Sequence, residues 1–136
     1  MNNLDKTTSD FGMELKGRCK ALYEAYINRE DEIAFAIIDK TIEESSNPIY
    51  ALQDKFDICE RLHEFGEMER VIEELSNLKM RDSYGKERAL YREKVLYAAY
   101  KKDNNEIEKL KTEILNKNVR INMDILQRKI EKIMNN

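Results

Sequence analysis

Hydrophobic residues recur along this chain three or four positions apart, which is the period of an amphipathic α-helix. The first stripe consists of Phe11, Leu15, Cys19, Leu22 and Tyr26, and similar stripes follow almost to the C-terminus. Polar residues or glycine interrupt the stripes near positions 28–31, 45–48, 66, 82–83, 103–106 and 116–118. The β-branched residues share the helical spacing, so the pattern predicts seven helices and no strands.

Several of these interruptions contain residues that favour the start or the end of a helix. Asn47 can cap a third helix, with Pro48 in the first helical position, where its missing N–H costs nothing. Gly66 is predicted to end that helix in a left-handed conformation. Asp103 and Glu106 have the spacing of a capping box at the start of a sixth helix.

The chain contains an internal repeat. Residues 20–26 and 94–100 lie 74 positions apart and share five of seven residues, and half that offset places Cys59 and His63 in phase with them. Stacked helical hairpins have this signature, because each hairpin leaves an apolar face that the next one covers. We therefore predict an all-α stack of three antiparallel hairpins with a period of about 37 residues.

The predicted organisation is a flexible N-terminal tail followed by one helical-repeat domain. The tail covers residues 1–9 and the domain residues 10–134. The boundaries of the hairpins are residues 10–45, 47–80 and 83–116, and a C-terminal capping helix covers residues 118–134.

The repeats resemble the tetratricopeptide (TPR) class of helix-turn-helix repeats over residues 10 to 116. Leu22 and Leu96 match the leucine of the first helix, Tyr26 and Tyr100 match an aromatic position, and Pro48 lies near the proline between repeats. The chain departs from the pattern because Tyr23 and Tyr97 replace a glycine, Phe35 replaces a small residue, and the period is longer than the usual ~34 residues. The resemblance implies a TPR-like superhelix that binds a protein or peptide in its concave groove.

The same alignment implies which residues line that groove. The candidates come from the first helix of each hairpin, and they are Lys20, Glu24, Ile27, Arg61, Tyr91, Lys94 and Lys101. Their mixture of apolar and charged groups suits a peptide or a helix better than a phosphate ligand.

Composition and charge narrow the function further. The chain has 136 residues, 24 basic against 27 acidic, and a net charge of −3, which argues against general nucleic-acid binding. No apolar run is long enough to span a bilayer and the N-terminus does not resemble a secretory signal, so we expect a cytoplasmic protein without membrane association. Two cysteines without CxxC spacing favour reduced thiols.

The sequence contains few residues that could form a catalytic or metal-binding site. Cys59 and His63 lie four residues apart, followed by Glu67, which could form a partial metal site or a thiol–imidazole pair. Their phase in the repeat favours packing roles instead, so we expect no catalytic residue, metal or cofactor. The glutamates between residues 60 and 74, with Glu67, Glu69 and Glu73 as candidates, favour a solvated helix face that could present an acidic patch to a basic partner.

These observations predict a non-catalytic adaptor or chaperone that binds one protein partner. Small acidic bacterial secretion chaperones of the TPR type are similar in size and charge, and the composition is compatible with a bacterial or phage genome. One alternative is an acidic immunity or inhibitor protein that neutralises a basic toxin or nuclease. A second alternative is a ligand-sensing module of a regulatory system. Homodimerisation through an exposed end of the stack is also possible.

Overall fold

The predicted all-α class is confirmed by a computed structural model, which describes residues 3–79 and 83–136, with the side chains of 12–79 and 85–136. Within these residues the chain forms helices and no strand. The helices are α1 (Asn3–Tyr26), α2 (Asp31–Glu44), α3 (Ile49–Leu62), α4 (Phe65–Asn77), α5 (Ser83–Tyr100), α6 (Asn104–Lys117) and α7 (Met123–Met134). None of them is both long and apolar enough to cross a bilayer.

The chain forms two compact units, Met1–Glu64 and Phe65–Asn136. The boundary between them lies between α3 and α4, inside the predicted second hairpin of residues 47–80. The division into one repeat domain with three hairpins and a tail stays a prediction. Helix α1 begins at Asn3, within the segment 1–9 predicted as the tail, and residues 1–2 lie outside the described part.

The first unit is a three-helix arrangement in which α1 contacts α2 and α3, and α2 contacts α3. One buried cluster of this unit consists mainly of small side chains, because four of its six residues are alanines. The cluster consists of Ala21, Ala25, Ala34, Ile38, Ala51 and Ile58. Alanine lets helix axes approach closely, and larger apolar side chains pack around the cluster, namely Leu22, Phe35, Ile37, Ile42 and Leu62.

The second unit is built around α5, which contacts α4, α6 and α7. The buried residues of α5 are not confined to one stripe, since Tyr91, Val95, Leu96, Ala98 and Ala99 are all buried. A helix with neighbours on several sides needs apolar residues on several sides. The first helices of successive hairpins contact each other in a stacked repeat, and the contacts of α1 with α3 and of α5 with α7 are compatible with that arrangement.

A non-glycine residue in the left-handed conformation follows each of α1, α3 and α5, with φ of 57° at Arg29, 54° at His63 and 57° at Lys102. The next amide then bonds back to the helix, as in the bond from Glu64 N to Cys59 O at 3.0 Å. The prediction that Gly66 ends α3 is wrong, because His63 performs this task and Gly66 lies in the first turn of α4.

The other predicted caps are close to those in the structure. The Asp103 carboxylate accepts a hydrogen bond from Glu106 N at 3.1 Å, which confirms the cap of α6. The Asn47 side chain accepts from Ile49 N at 3.4 Å, although α3 begins one residue after Pro48. Helix α7 begins at Met123, later than the predicted residue 118, because Asn122 caps it by accepting from Ile125 N.

Candidate functional site

One side of α1 combines large apolar side chains with lysines at the surface. Tyr23 is 54% exposed, Ile27 is 64% exposed, and Lys20 is also exposed. Met13, 64% exposed, and Lys16 continue the series toward the N-terminus. Spacings of three and four residues place Met13, Lys16, Lys20 and Tyr23 on one side of the helix, and Ile27, the first residue after the helix, continues the row. We call these five residues the α1 face. Singly scattered apolar residues at a surface need no explanation, but a row of them on one helix side marks a candidate contact surface.

A cleft of about 600 Å³ lies between α1 and α2 beside the N-terminal half of the α1 face. Its wall on α1 includes Met13, Lys16 and Lys20, and its wall on α2 includes Ile37 and Lys40. Gly17 and Thr41 line the same cleft, and a β-carbon on residue 17 would overlap the Thr41 hydroxyl. The two helices therefore meet closely at Gly17, and the space lies beside this meeting point.

Ion pairs fix α3 against the two helices that form the cleft. The Arg18 guanidinium on α1 donates to the Asp54 carboxylate on α3, with Nε to Oδ2 at 2.5 Å, and lies 5.2 Å from the Tyr50 ring centroid. The hydrogen bond to Asp54 raises the pKa of Arg18. On α2, Asp39 binds the buried Lys55 of α3 at 2.7 Å.

Arg61, a predicted groove residue, interacts with other residues of the first unit. Its guanidinium pairs with Asp31 and lies 5.4 Å from the ring centroid of Tyr26. The Tyr26 hydroxyl in turn donates to Asp57 O at 3.0 Å, and burial together with the Asp57 charge raises the pKa of Tyr26. Arg61 therefore contributes to the contacts between α1, α2 and α3, whereas Lys20 and Glu24 lie on α1 and Ile27 directly follows it.

In the second unit, the predicted residues Tyr91 and Lys94 are neighbours. Tyr91 is 4% exposed, and the Lys94 and Lys117 ammonium groups lie 5.4 and 5.6 Å from its ring centroid. Hydrogen bonding to Tyr91 raises the pKa of Lys117. The Tyr91 ring is thus buried, with two ammonium groups within 6 Å of its centroid.

The third predicted residue of this unit, Lys101, lies at the end of α5. It is exposed, and its ammonium group is 4.8 Å from the Tyr97 ring centroid. Hydrogen bonding to Tyr97 raises the pKa of Lys101. Partner binding by Tyr91, Lys94 and Lys101 stays a prediction.

The candidate acidic residues lie on α4, whose buried side consists of Met68, Val71 and Leu75. Glu67 forms an ion pair with Arg70 at 3.0 Å, and Glu69 accepts a hydrogen bond from the Tyr97 hydroxyl at 3.3 Å. Glu73 and Glu74 are exposed. The outer side of α4 is therefore acidic, and part of its charge is compensated within the unit.

Cys59 and His63 have different environments. Cys59 is buried, in agreement with its predicted packing role, but His63 is exposed and occupies the left-handed position after α3. The prediction of a packing role for His63 is thus wrong, because the conformation of the turn directs its side chain outward. Within the described parts of the chain, no group of three His, Cys, Asp or Glu side chains could hold a metal ion.

Sequence reasoning missed the contribution of α2 to the candidate site. Lys40 and Ile37 enter it only because α1 and α2 cross closely at Gly17, and the chain has no local motif for that crossing. A glycine in the middle of a predicted helix was the available signal, since such a glycine is unfavourable unless close packing requires it.

Comparison of this chain with protein-family models, with curated proteins and with solved structures finds no match. The resemblance to TPR repeats therefore rests on the residues of this chain alone. The fold and the site together define an all-helical protein with an exposed amphipathic helix face.

Proposed function

We propose that this protein is a non-catalytic protein–protein interaction module, an adaptor or chaperone that binds a peptide or helix of a partner. The α1 face carries this proposal, because it exposes Met13, Tyr23 and Ile27 in one row beside Lys16 and Lys20. Tyrosine and other large apolar residues provide most of the binding energy at protein interfaces, and adjacent lysines add selectivity for acidic partners. The TPR-like, cytoplasmic and secretion-chaperone interpretations belong to the same proposal.

The main alternative is an acidic immunity or inhibitor protein. The exposed Glu73 and Glu74 on α4 favour it, since an acidic helix side attracts a basic partner and makes association fast and salt-sensitive. Glu67 and Glu69 weaken the alternative, because Arg70 and the Tyr97 hydroxyl already engage them.

The two functions can be separated by affinity purification with the full-length protein as bait, from an extract of the cells that encode it. One variant, Tyr23→Ser with Ile27→Ser, removes the apolar part of the α1 face. The matched variant, Glu73→Lys with Glu74→Lys, reverses the acidic side of α4. All four residues are exposed, so both variants should keep the helical circular dichroism of the wild type.

We expect one specific partner that the wild type and the α4 variant retain and that the α1 variant loses. Loss of the partner only in the α4 variant would establish the inhibitor function instead. If no protein is enriched over an unrelated helical bait, the interaction module is the wrong interpretation.

A further inference from the structure

The cleft between α1 and α2 is lined by both charged and apolar residues. Lys16 and Lys20 on α1 and Lys40 on α2 line it, against the carboxylates of Glu14 and Glu44. Met13 and Ile37 provide its apolar lining. A volume of about 600 Å³ accommodates several side chains of a partner and is too large for a packing defect.

More positively than negatively charged side chains line the cleft. All three lysines are exposed, and none has an ion pair with an acidic residue within the described side chains. Their excess over the two glutamates gives this part of an acidic protein a local positive potential. An anionic group therefore suits the lysines of the cleft, and a large apolar group suits its apolar lining of Met13 and Ile37.

The proposed interaction function decides the chemical class of the occupant. A polypeptide can place an acidic side chain and a large apolar side chain next to each other, which matches the lysines of the cleft and its apolar lining.

From these contacts we infer that the α1–α2 cleft is the anchor site for a protein segment with an acidic side chain next to a large apolar one. The apolar side chain enters between Met13 and Ile37, and the carboxylate meets the lysines of the cleft. This inference rests on the proposed interaction function and names the partner chemistry and the place where it binds.

The test uses a random peptide library displayed on phage and selected on the immobilised full-length protein. Enriched peptides are then synthesised, and their affinities are measured by fluorescence anisotropy. The cleft variant carries Lys16→Glu, Lys20→Glu and Lys40→Glu. The control variant carries Lys79→Glu, Lys109→Glu and Lys132→Glu, which changes three other exposed lysines and alters the net charge by the same amount.

We expect the enriched peptides to share an acidic residue beside Leu, Ile, Met or Phe. The cleft variant should bind them at least about tenfold more weakly than the control variant, since three favourable charge contacts become repulsive. Met13→Gln, a substitution at an exposed position that leaves every charge intact, should weaken binding about threefold or more through lost apolar contact.

Different results would contradict the cleft inference and the proposed interaction function. Peptides without acidic residues, or equal affinities for the cleft and control variants, would overturn the cleft inference. If binding instead depends on Tyr23 and Ile27 alone, the interaction function stands and the cleft inference fails. A library with no enriched sequence would count against both.

Discussion

Gly17 on α1 and Thr41 on α2 meet so closely that a β-carbon on residue 17 would overlap the Thr41 hydroxyl. That hydroxyl donates to Ile37 O at 2.8 Å within α2, so rotating it away from an added carbon breaks this bond, and its Cγ2 and Cβ lie 3.3 and 3.4 Å from the same position. The closest approach of α1 and α2 therefore depends on the absence of a side chain at residue 17. The cleft beside it depends on the same crossing.

Gly17→Ala should accordingly destabilise the protein. Alanine gains up to about 1 kcal/mol of helix propensity, but forcing the helices apart costs about 1–3 kcal/mol, so a net loss near 1 kcal/mol is expected. Urea denaturation followed by circular dichroism measures it. Gly12→Ala is the matched control on the same helix, where an added carbon meets nothing within 4 Å, and it should stabilise. Equal effects of the two substitutions would contradict the close crossing.

The helical pattern made the helices and several of their ends predictable from the sequence. The Asp103 cap is an example, because the carboxylate and the amide it binds are only three residues apart. The end of α3 was not predictable in the same way. Gly66 is the better residue for a left-handed turn, yet the apolar side of α4 already needs Met68, so the turn falls on His63.

The candidate site was predictable only along α1. Lys20 and Glu24 lie one turn apart on α1, and Ile27 directly follows its last residue, so local helical spacing alone brings them together. Arg61 is different, because its partner Asp31 is 30 residues away and becomes a neighbour only when α2 packs against α3. Long-range pairings of this kind depend on which helix sides face each other, and hydrophobic spacing does not specify that.

The Arg18–Asp54 ion pair should contribute more to stability than the exposed pairs of this protein. Asp54 is 8% exposed, and its replacement by alanine leaves the Arg18 guanidinium without its partly buried partner. We expect Asp54→Ala to lower the free energy of unfolding by about 1–3 kcal/mol. The control is Glu108→Ala, which removes the exposed pair with Lys111 and should cost less than about 0.5 kcal/mol. Similar losses in chemical denaturation would show that the buried pair has no special role.

Tyr26 stabilises the first unit, and part of this contribution is lost at high pH. Burial raises the pKa of Tyr26 in the folded state, so the neutral hydroxyl is favoured there. Its stabilising contribution is complete below the unfolded pKa near 10 and is lost as pH rises through the higher folded pKa. Tyr26→Phe should cost about 0.5–1 kcal/mol at neutral pH, through the lost bond to Asp57 O.

The difference in unfolding free energy between wild type and Tyr26→Phe should therefore shrink above about pH 10. Urea denaturation of both proteins at a series of alkaline pH values measures this difference. Since the other tyrosines and the lysines titrate in both proteins, the subtraction isolates residue 26. A difference that stays constant across the alkaline range would refute the raised pKa.

The left-handed turn after α1 predicts a stabilising substitution. Arg29 has φ of 57°, a conformation that costs a residue with a β-carbon about 1–2 kcal/mol, and its side chain is exposed. Arg29→Gly removes this strain but adds freedom to the unfolded chain, so we expect a net gain of roughly 0.5–1 kcal/mol. Asn118→Gly is the control, because Asn118 has nearly the same φ of 55° and asparagine adopts it readily. Its gain should be smaller than that of Arg29→Gly in the same thermal denaturation experiment. A loss of stability for Arg29→Gly would mean that the arginine side chain contributes more to the turn than its backbone conformation costs.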